Sequence, residues 1–174
     1  FLTEPATTST YTRSLHAAPP SVRSAGVAKK TILAVVATGS GKTTVVNALL
    51  ALMAEVAPYD RVVSIEDTTE LQCSVHNHVD LLAVGNVSML DCLRACMRLK
   101  PTRIVVGEVR GAEAHTMLKA WNTGHPGGAA TVHANDALSG LIRLESLVAE
   151  ATSAPQQALI AEAVDLVVFV DQEP

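Results

Sequence analysis

The sequence is short of aromatic residues, of charge and of cysteine. Phe, Tyr and Trp together make up 3% of its 174 residues, so the core has to be built from Ala, Val, Leu and Ile. Charged residues are 17%, against about 25% in an average soluble domain. Apolar residues still reach 48%, which excludes a disordered composition. The formal net charge is −4, so a generally basic nucleic-acid surface is excluded as well. Three cysteines without a secretory apolar leader argue for a reducing compartment, not a disulfide scaffold. No apolar run reaches the roughly 18 residues that a membrane-spanning helix requires, and no internal repeat is visible. The length suits one domain, or one domain with a tail.

The charge that is present is unevenly placed. Residues 1–44 carry five Lys/Arg against one acid, whereas residues 135–174 carry one against seven. The chain begins with Phe1, and residues 1–27 are rich in Thr, Ser, Ala and Pro with no apolar period. This stretch reads as a flexible leader or linker, and residues 28–174 as the folded domain.

From Lys29 onward the pattern is that of an α/β domain. Short apolar runs at 31–37, 61–65, 103–107, 129–132 and 166–170 read as buried strands. Helical spacing separates them at 43–56, 87–99, 112–122 and 136–150. A further helix is expected from a Ser153 cap, with Pro155 in its first turn, to about Ala163. Strands alternating with helices predict right-handed crossovers and a largely parallel sheet. Val45, Leu49, Met53 and Val56 form the stripe expected to face that sheet.

Between the first strand and the first helix stands Thr38-Gly39-Ser40-Gly41-Lys42-Thr43-Thr44. Gly39 and Gly41 permit backbone N–H groups to turn inward as an anion nest, and the helix N-terminus adds its positive dipole end. Lys42 has the reach for β- and γ-phosphates, and the Thr43 hydroxyl suits Mg²⁺. The position of the first glycine of the full G-x-x-x-x-G-K-[ST] pattern holds Val36. If that position demands a positive φ, a β-branched residue is a poor substitute.

Three more segments follow: Ser64-Ile65-Glu66-Asp67-Thr68-Thr69-Glu70-Leu71, then Arg103 to Gly111 (RIVVGEVRG), then Gly124-His125-Pro126-Gly127-Gly128 through Thr131-Val132-His133-Ala134-Asn135. The four motifs in this order resemble the secretion ATPase superfamily, which serves type II and type IV secretion, type IV pili and conjugation. The wording of residues 118–135 is most similar to the conjugal-transfer branch. The resemblance covers roughly residues 31–171. It implies a RecA-like P-loop core that binds ATP with Mg²⁺ and hydrolyses it. Glu66 resembles the carboxylate that polarises the attacking water, Glu108 the Walker B acid near Mg²⁺, and His133 the histidine that senses the γ-phosphate. Which glutamate is the base stays open. Arg110 is the arginine to test first for transition-state charge, ahead of Arg94, Arg98 and Arg103.

The resemblance also implies a cytoplasmic homo-hexamer, peripheral to the inner membrane and working with secretion or conjugation proteins. It further implies an N-terminal domain before the RecA-like core, for which about 30 residues leave no room. A catalytically weak nucleotide-binding or assembly module, and a type IV pilus assembly or retraction motor, stand as alternatives. Direct nucleic-acid binding is not expected, because no basic stripe interleaved with aromatics is present. His125 is open between a site role and a tight turn. Cys73, His76 and His78 lack a second ligand pair for zinc, Cys92 and Cys96 read as buried small residues, and Trp121 reads as core.

Overall fold

The computed structural model describes residues 24–26, 28–37 and 42–170, with only the backbone for Lys42 and Thr43. The expected loop residues Thr38, Gly39, Ser40 and Gly41, the side chains of Lys42 and Thr43, and residues 1–23 therefore lie outside the described residues.

Among the described residues, six strands form one sheet: β1 (Ile32–Val36), β2 (Val62–Glu66), β3 (His78–Leu82), β4 (Arg103–Val106), β5 (Ala129–His133) and β6 (Leu166–Val170). Their order is β3-β2-β4-β5-β1-β6, and every pairing is parallel. The helices are α1 (Lys42–Val56), α2 (Met89–Cys96), α3 (Glu113–Asn122), α4 (Ala137–Ala149) and α5 (Gln157–Ala163). Among the described residues, no helix is long and apolar enough to cross a membrane.

The continuous apolar strands are explained by burial on both faces. Leu33 and Val35 of β1 enter one core cluster, while Ile32, Ala34 and Val36 enter the other. The first cluster takes side chains from α2 through α5 and the second from α1. So α1, whose Val45, Leu49 and Met53 are buried as the stripe predicts, is the long helix on its face. Ala25 and Gly26 join it there, with Gly26 against Leu52. Each fully buried Leu or Val contributes about 1.5–3 kcal/mol, which compensates for the scarcity of aromatics.

The structure departs from the expected elements at three places. Residues 24–26, read as part of the flexible leader, are helical, with Ala25 buried in the core cluster of α1. β3 was not expected: it is an edge strand of mixed polarity that pairs with β2 alone. Its His78 and Asp80 meet Ser64 of β2, the register partner of Asp80. The helix expected from Ser153 starts instead at Gln157, and Gln156 caps it without a side-chain hydrogen bond. Pro155 thus lies in the preceding turn, outside the helix.

Val36 is an ordinary strand residue. It is fully buried, pairs with His133 and Val170, and is not among the residues of positive φ. A β-branched side chain is at home there.

Candidate functional site

In a parallel sheet all C-terminal strand ends lie along one edge, and ligands of open α/β sheets bind outside that edge. Four neighbouring strands bring their ends together here. β2 ends in Glu66, β4 runs through Gly107 to Glu108, β5 ends in His133, and β1 ends in Val36 just before the phosphate-loop segment. Past that segment the chain enters α1 at Lys42, and Thr44 is exposed in its first turn.

Glu66 is 5% exposed. One carboxylate oxygen, Oε2, accepts hydrogen bonds from the backbone N–H of Glu70 at 2.8 Å and of Leu71 at 3.0 Å. These bonds turn the chain after β2 back towards the sheet. The end of β4 is fixed by Gly107 N–H donating to the Ile65 carbonyl at 2.8 Å and by Val109 N–H donating to the Thr131 carbonyl at 3.0 Å. The Thr131 hydroxyl donates to the Gly107 carbonyl. Glu108 is thereby presented from a rigid support beside β5.

Arg110 joins two of these segments. Its Nη2 donates to Glu108 Oε2 at 2.8 Å, and its Nη1 donates to Asp67 just past β2. The Glu108 hydrogen bond raises the guanidinium above its ordinary pKa, with the charges of Asp67 and Glu70 adding to it. A cleft of about 90 Å³ opens here, lined by Glu66, Asp67, Glu70, Glu108, Arg110 and, from α1, Val46. His133 stands on the far side of Glu108. Its Nδ1 is 3.0 Å from the Val36 carbonyl, which only accepts, so Nδ1 carries the hydrogen. Its Nε2 is 3.6 Å from Glu108 Oε1. One histidine therefore touches both the strand that leads into residues 38–41 and the acid that follows β4.

The other sequence candidates fall elsewhere. His125 sits at the opposite edge, with Nδ1 2.7 Å from the Pro101 carbonyl, and holds a turn. In that turn Gly127 has φ +79, and a Cβ on Gly128 would stand 2.2 Å from the Ile104 carbonyl oxygen. The first half of the GHPGG…TVHAN motif is thus a close-packed turn before β5, and only its second half reaches the cleft edge. Arg103 is fully buried at the beginning of β4, paired with Asp60, so it is not a free cation for a ligand. Arg94 is exposed beside Asp91. Trp121 is buried and donates to the Ile104 carbonyl. Cys92 and Cys96 are buried in α2, and burial pushes the Cys96 thiol up to about 11. Among the described residues no group of three or more His, Cys, Asp or Glu side chains is arranged to hold a metal.

Sequence reasoning passed over Asp67 and Glu70 as site residues. Both lie within the second motif, but their convergence on Arg110 depends on β2 lying next to β4.

Comparisons with known proteins give the chain its relatives. Residues 21–172 match the family described as Type II/IV secretion system protein. The conjugal transfer protein TrbB of Rhizobium radiobacter is 51% identical over 151 residues, which is 87% of this chain and 47% of that protein. Protein VirB11 of Agrobacterium fabrum is 37% identical over 154 residues, 82% of this chain and 44% of that protein. Among solved structures, the VirB11 ATPase of the Brucella suis type IV secretion system, in complex with sulphate, has a TM-score of 0.78 at 35% identity. It covers 86% of this chain and 46% of its own. The pilus retraction motor PilT with bound ADP has a TM-score of 0.69 at 26% identity, covering 87% and 45%. The chain spans about half the length of the relatives it matches. With its all-parallel sheet, this family match and these relatives, the chain belongs to the type II/IV secretion system protein family.

Proposed function

We propose that this chain is the ATP-binding and ATP-hydrolysing motor domain of a conjugation or type IV secretion apparatus. The observation that carries the reading is the gathering of Glu66, Glu108 and His133 on adjacent strand ends, beside the segment that leads into α1. Phosphoryl transfer asks a protein for positioned charge more than for covalent chemistry. In this reading the backbone of residues 38–44 and the N-terminus of α1 cradle the phosphates, and Lys42 pairs with the β- and γ-phosphates. Glu66 orients the attacking water. His133, tied to Val36 and facing Glu108, reports the state of the γ-phosphate to the strand ends. Arg110 balances the acids around the cleft, and its bonds to Asp67 and Glu108 suit a role within its own subunit.

The donor set fits Mg²⁺. Its members lining the cleft, Glu66, Asp67, Glu70 and Glu108, offer hard carboxylate oxygens. Mg²⁺ is commonly held by one or two protein oxygens plus water and phosphate. Thr43 and Glu108 are the residues that would hold it. There it would supply charge neutralisation between the β- and γ-phosphates. Assembly into a homo-hexamer, and work beside inner-membrane secretion proteins, belong to the same proposal.

The test is ATP binding and turnover by this chain, with Lys42→Ala and Glu108→Gln as controls and the mass in solution measured in parallel. The expected result is Mg²⁺-dependent turnover lost in both variants, with binding lost in the first and retained in the second. A folded wild-type chain that binds no adenine nucleotide overturns the reading.

A further inference from the structure

Asn47 lies five residues into α1, one turn on from Thr43. Its neighbours are Val45, Val46, Ala48 and Leu49. Asn is a poor choice inside an apolar helix, because its amide competes with the backbone for hydrogen bonds. Here the amide is engaged outside the helix. Its Oδ1 accepts from the backbone N–H of Gln72 at 2.7 Å, and its Nδ2 donates to the backbone carbonyl of Glu70 at 3.3 Å. One side chain thus offers the loop a donor and an acceptor at fixed spacing, as a neighbouring strand would.

The same stretch of loop is gripped from the sheet side. Glu66 accepts from the N–H groups of Glu70 and Leu71. Four hydrogen bonds therefore hold three consecutive residues, two from α1 and two from β2. Residues 67–77 form no helix or strand of their own, so this anchorage sets where the loop runs. Asp67 begins that loop and pairs with Arg110, which pairs in turn with Glu108. Asn47 is where the helix behind the phosphate loop is tied to the segment that presents the acids.

We propose that Asn47 is a positioning residue that couples nucleotide at the start of α1 to the Glu66–Gln72 loop, so that an occupied phosphate loop sets the placement of Glu66 and Asp67. The inference rests on the nucleotide-binding reading above. Asn47 itself touches no ligand in it. The coupling runs through a helix and a hydrogen-bonded loop, and a pathway of this kind stands only on measured coupling.

The measurement is amide hydrogen exchange, residue by residue, on this chain with and without ADP. In the wild-type chain ADP is expected to slow exchange at Leu71 and Gln72 together with the first turn of α1. In Asn47→Ala the Gln72 amide is expected to exchange about tenfold faster without nucleotide. ADP should then leave it unchanged, while ADP affinity stays within about threefold. Asn47→Asp keeps an acceptor for Gln72 and loses the donor to Glu70, so it is expected to retain protection at Gln72. That retention separates loss of a specific bond from general loosening of the helix. Equal ADP protection of the loop in wild type and Asn47→Ala overturns the proposal. ADP binding by the wild type with no response in the loop overturns it alone. Absence of ADP binding by the wild type overturns the nucleotide reading and this inference with it.

Discussion

At the edge where the strands begin, Arg103 is 1% exposed in its side chain. Its Nε donates to Asp60 at 2.7 Å, Nη1 to the Gly127 carbonyl at 3.0 Å and Nη2 to the Gly26 carbonyl at 3.1 Å. At the edge where they end, the Arg110 side chain is 59% exposed and bridges Asp67 and Glu108. Both arginines satisfy carboxylates within one sheet, yet burial gives them different work. The first is locked to three chain segments, and its loss removes the buried donor that ties them together. The second is screened by water, so its partners can be exchanged for other charges at little cost to the fold. The proposed motor would use both edges: one to hold the strands in register and one to respond to a ligand.

The largest effect is expected from removing the buried arginine. Arg103→Ala removes a buried guanidinium from Asp60 and two carbonyls, leaving Asp60 with Lys29 alone and the Gly26 carbonyl with the Lys29 N–H, and should lower unfolding stability by about 3 kcal/mol. Urea denaturation checks this, and a loss below about 1 kcal/mol would break the comparison, because it would class Arg103 with exposed pairs. Next comes Gly128→Ala in the turn beside it. The added Cβ would meet the Ile104 carbonyl oxygen at 2.2 Å and Trp121 Nε1 at 2.3 Å, two groups that also hydrogen-bond each other. A cost of about 1–3 kcal/mol is expected, seen as a lower melting temperature.

This division between edges also explains what could be read from the sequence. Glu66, Glu108 and His133 were legible because each ends or follows a short apolar run, and parallel strands place such ends together. β3 was not, because the residues from Ser74 to Leu82 mix His, Asn and Asp with apolar side chains, as an edge strand with half-exposed faces does. The start of α5 was misread because a Ser and a Pro are permissive at a helix start without enforcing one. Here they belong to the turn before Gln157. The partnership of Arg110 with Asp67 spans 43 residues and depends on strand order, which local periodicity does not encode. The two halves of the GHPGG…TVHAN motif looked like one site in sequence. β5 runs between them, and five residues of strand separate the two edges by about 16 Å.

Acid should probe the buried edge at intermediate strength. Burial alone would raise the Asp60 carboxyl, but hydrogen bonds and charge from Arg103 and Lys29 outweigh it and hold its pKa below the ordinary value. A depressed pKa contributes stability that is fully present above the unfolded value of about 3.9 and is lost as pH falls through the folded value. Wild type should therefore lose stability relative to Asp60→Asn as the pH drops below about 4. Denaturation midpoints of the two proteins across that range check the sign. A gap that stays constant with pH would show that the Asp60 charge does not couple to folding.

The smallest change in stability is expected at the open edge. Arg110→Ala removes an exposed guanidinium from Asp67, itself 42% exposed, and from Glu108, 13% exposed with His133 beside it, so the loss should be about 1 kcal/mol or less. That loss should shrink further as salt rises from low concentration to about 1 M, because the Debye length then falls to roughly 3 Å. The same substitution removes the guanidinium that joins Asp67 to Glu108, at the point where the proposed chemistry needs one ordered acid. Turnover should then fall by at least about tenfold while the denaturation midpoint barely moves. If stability and turnover instead fell together in proportion, Arg110 would be a structural pin like Arg103, and the two edges would differ only in exposure.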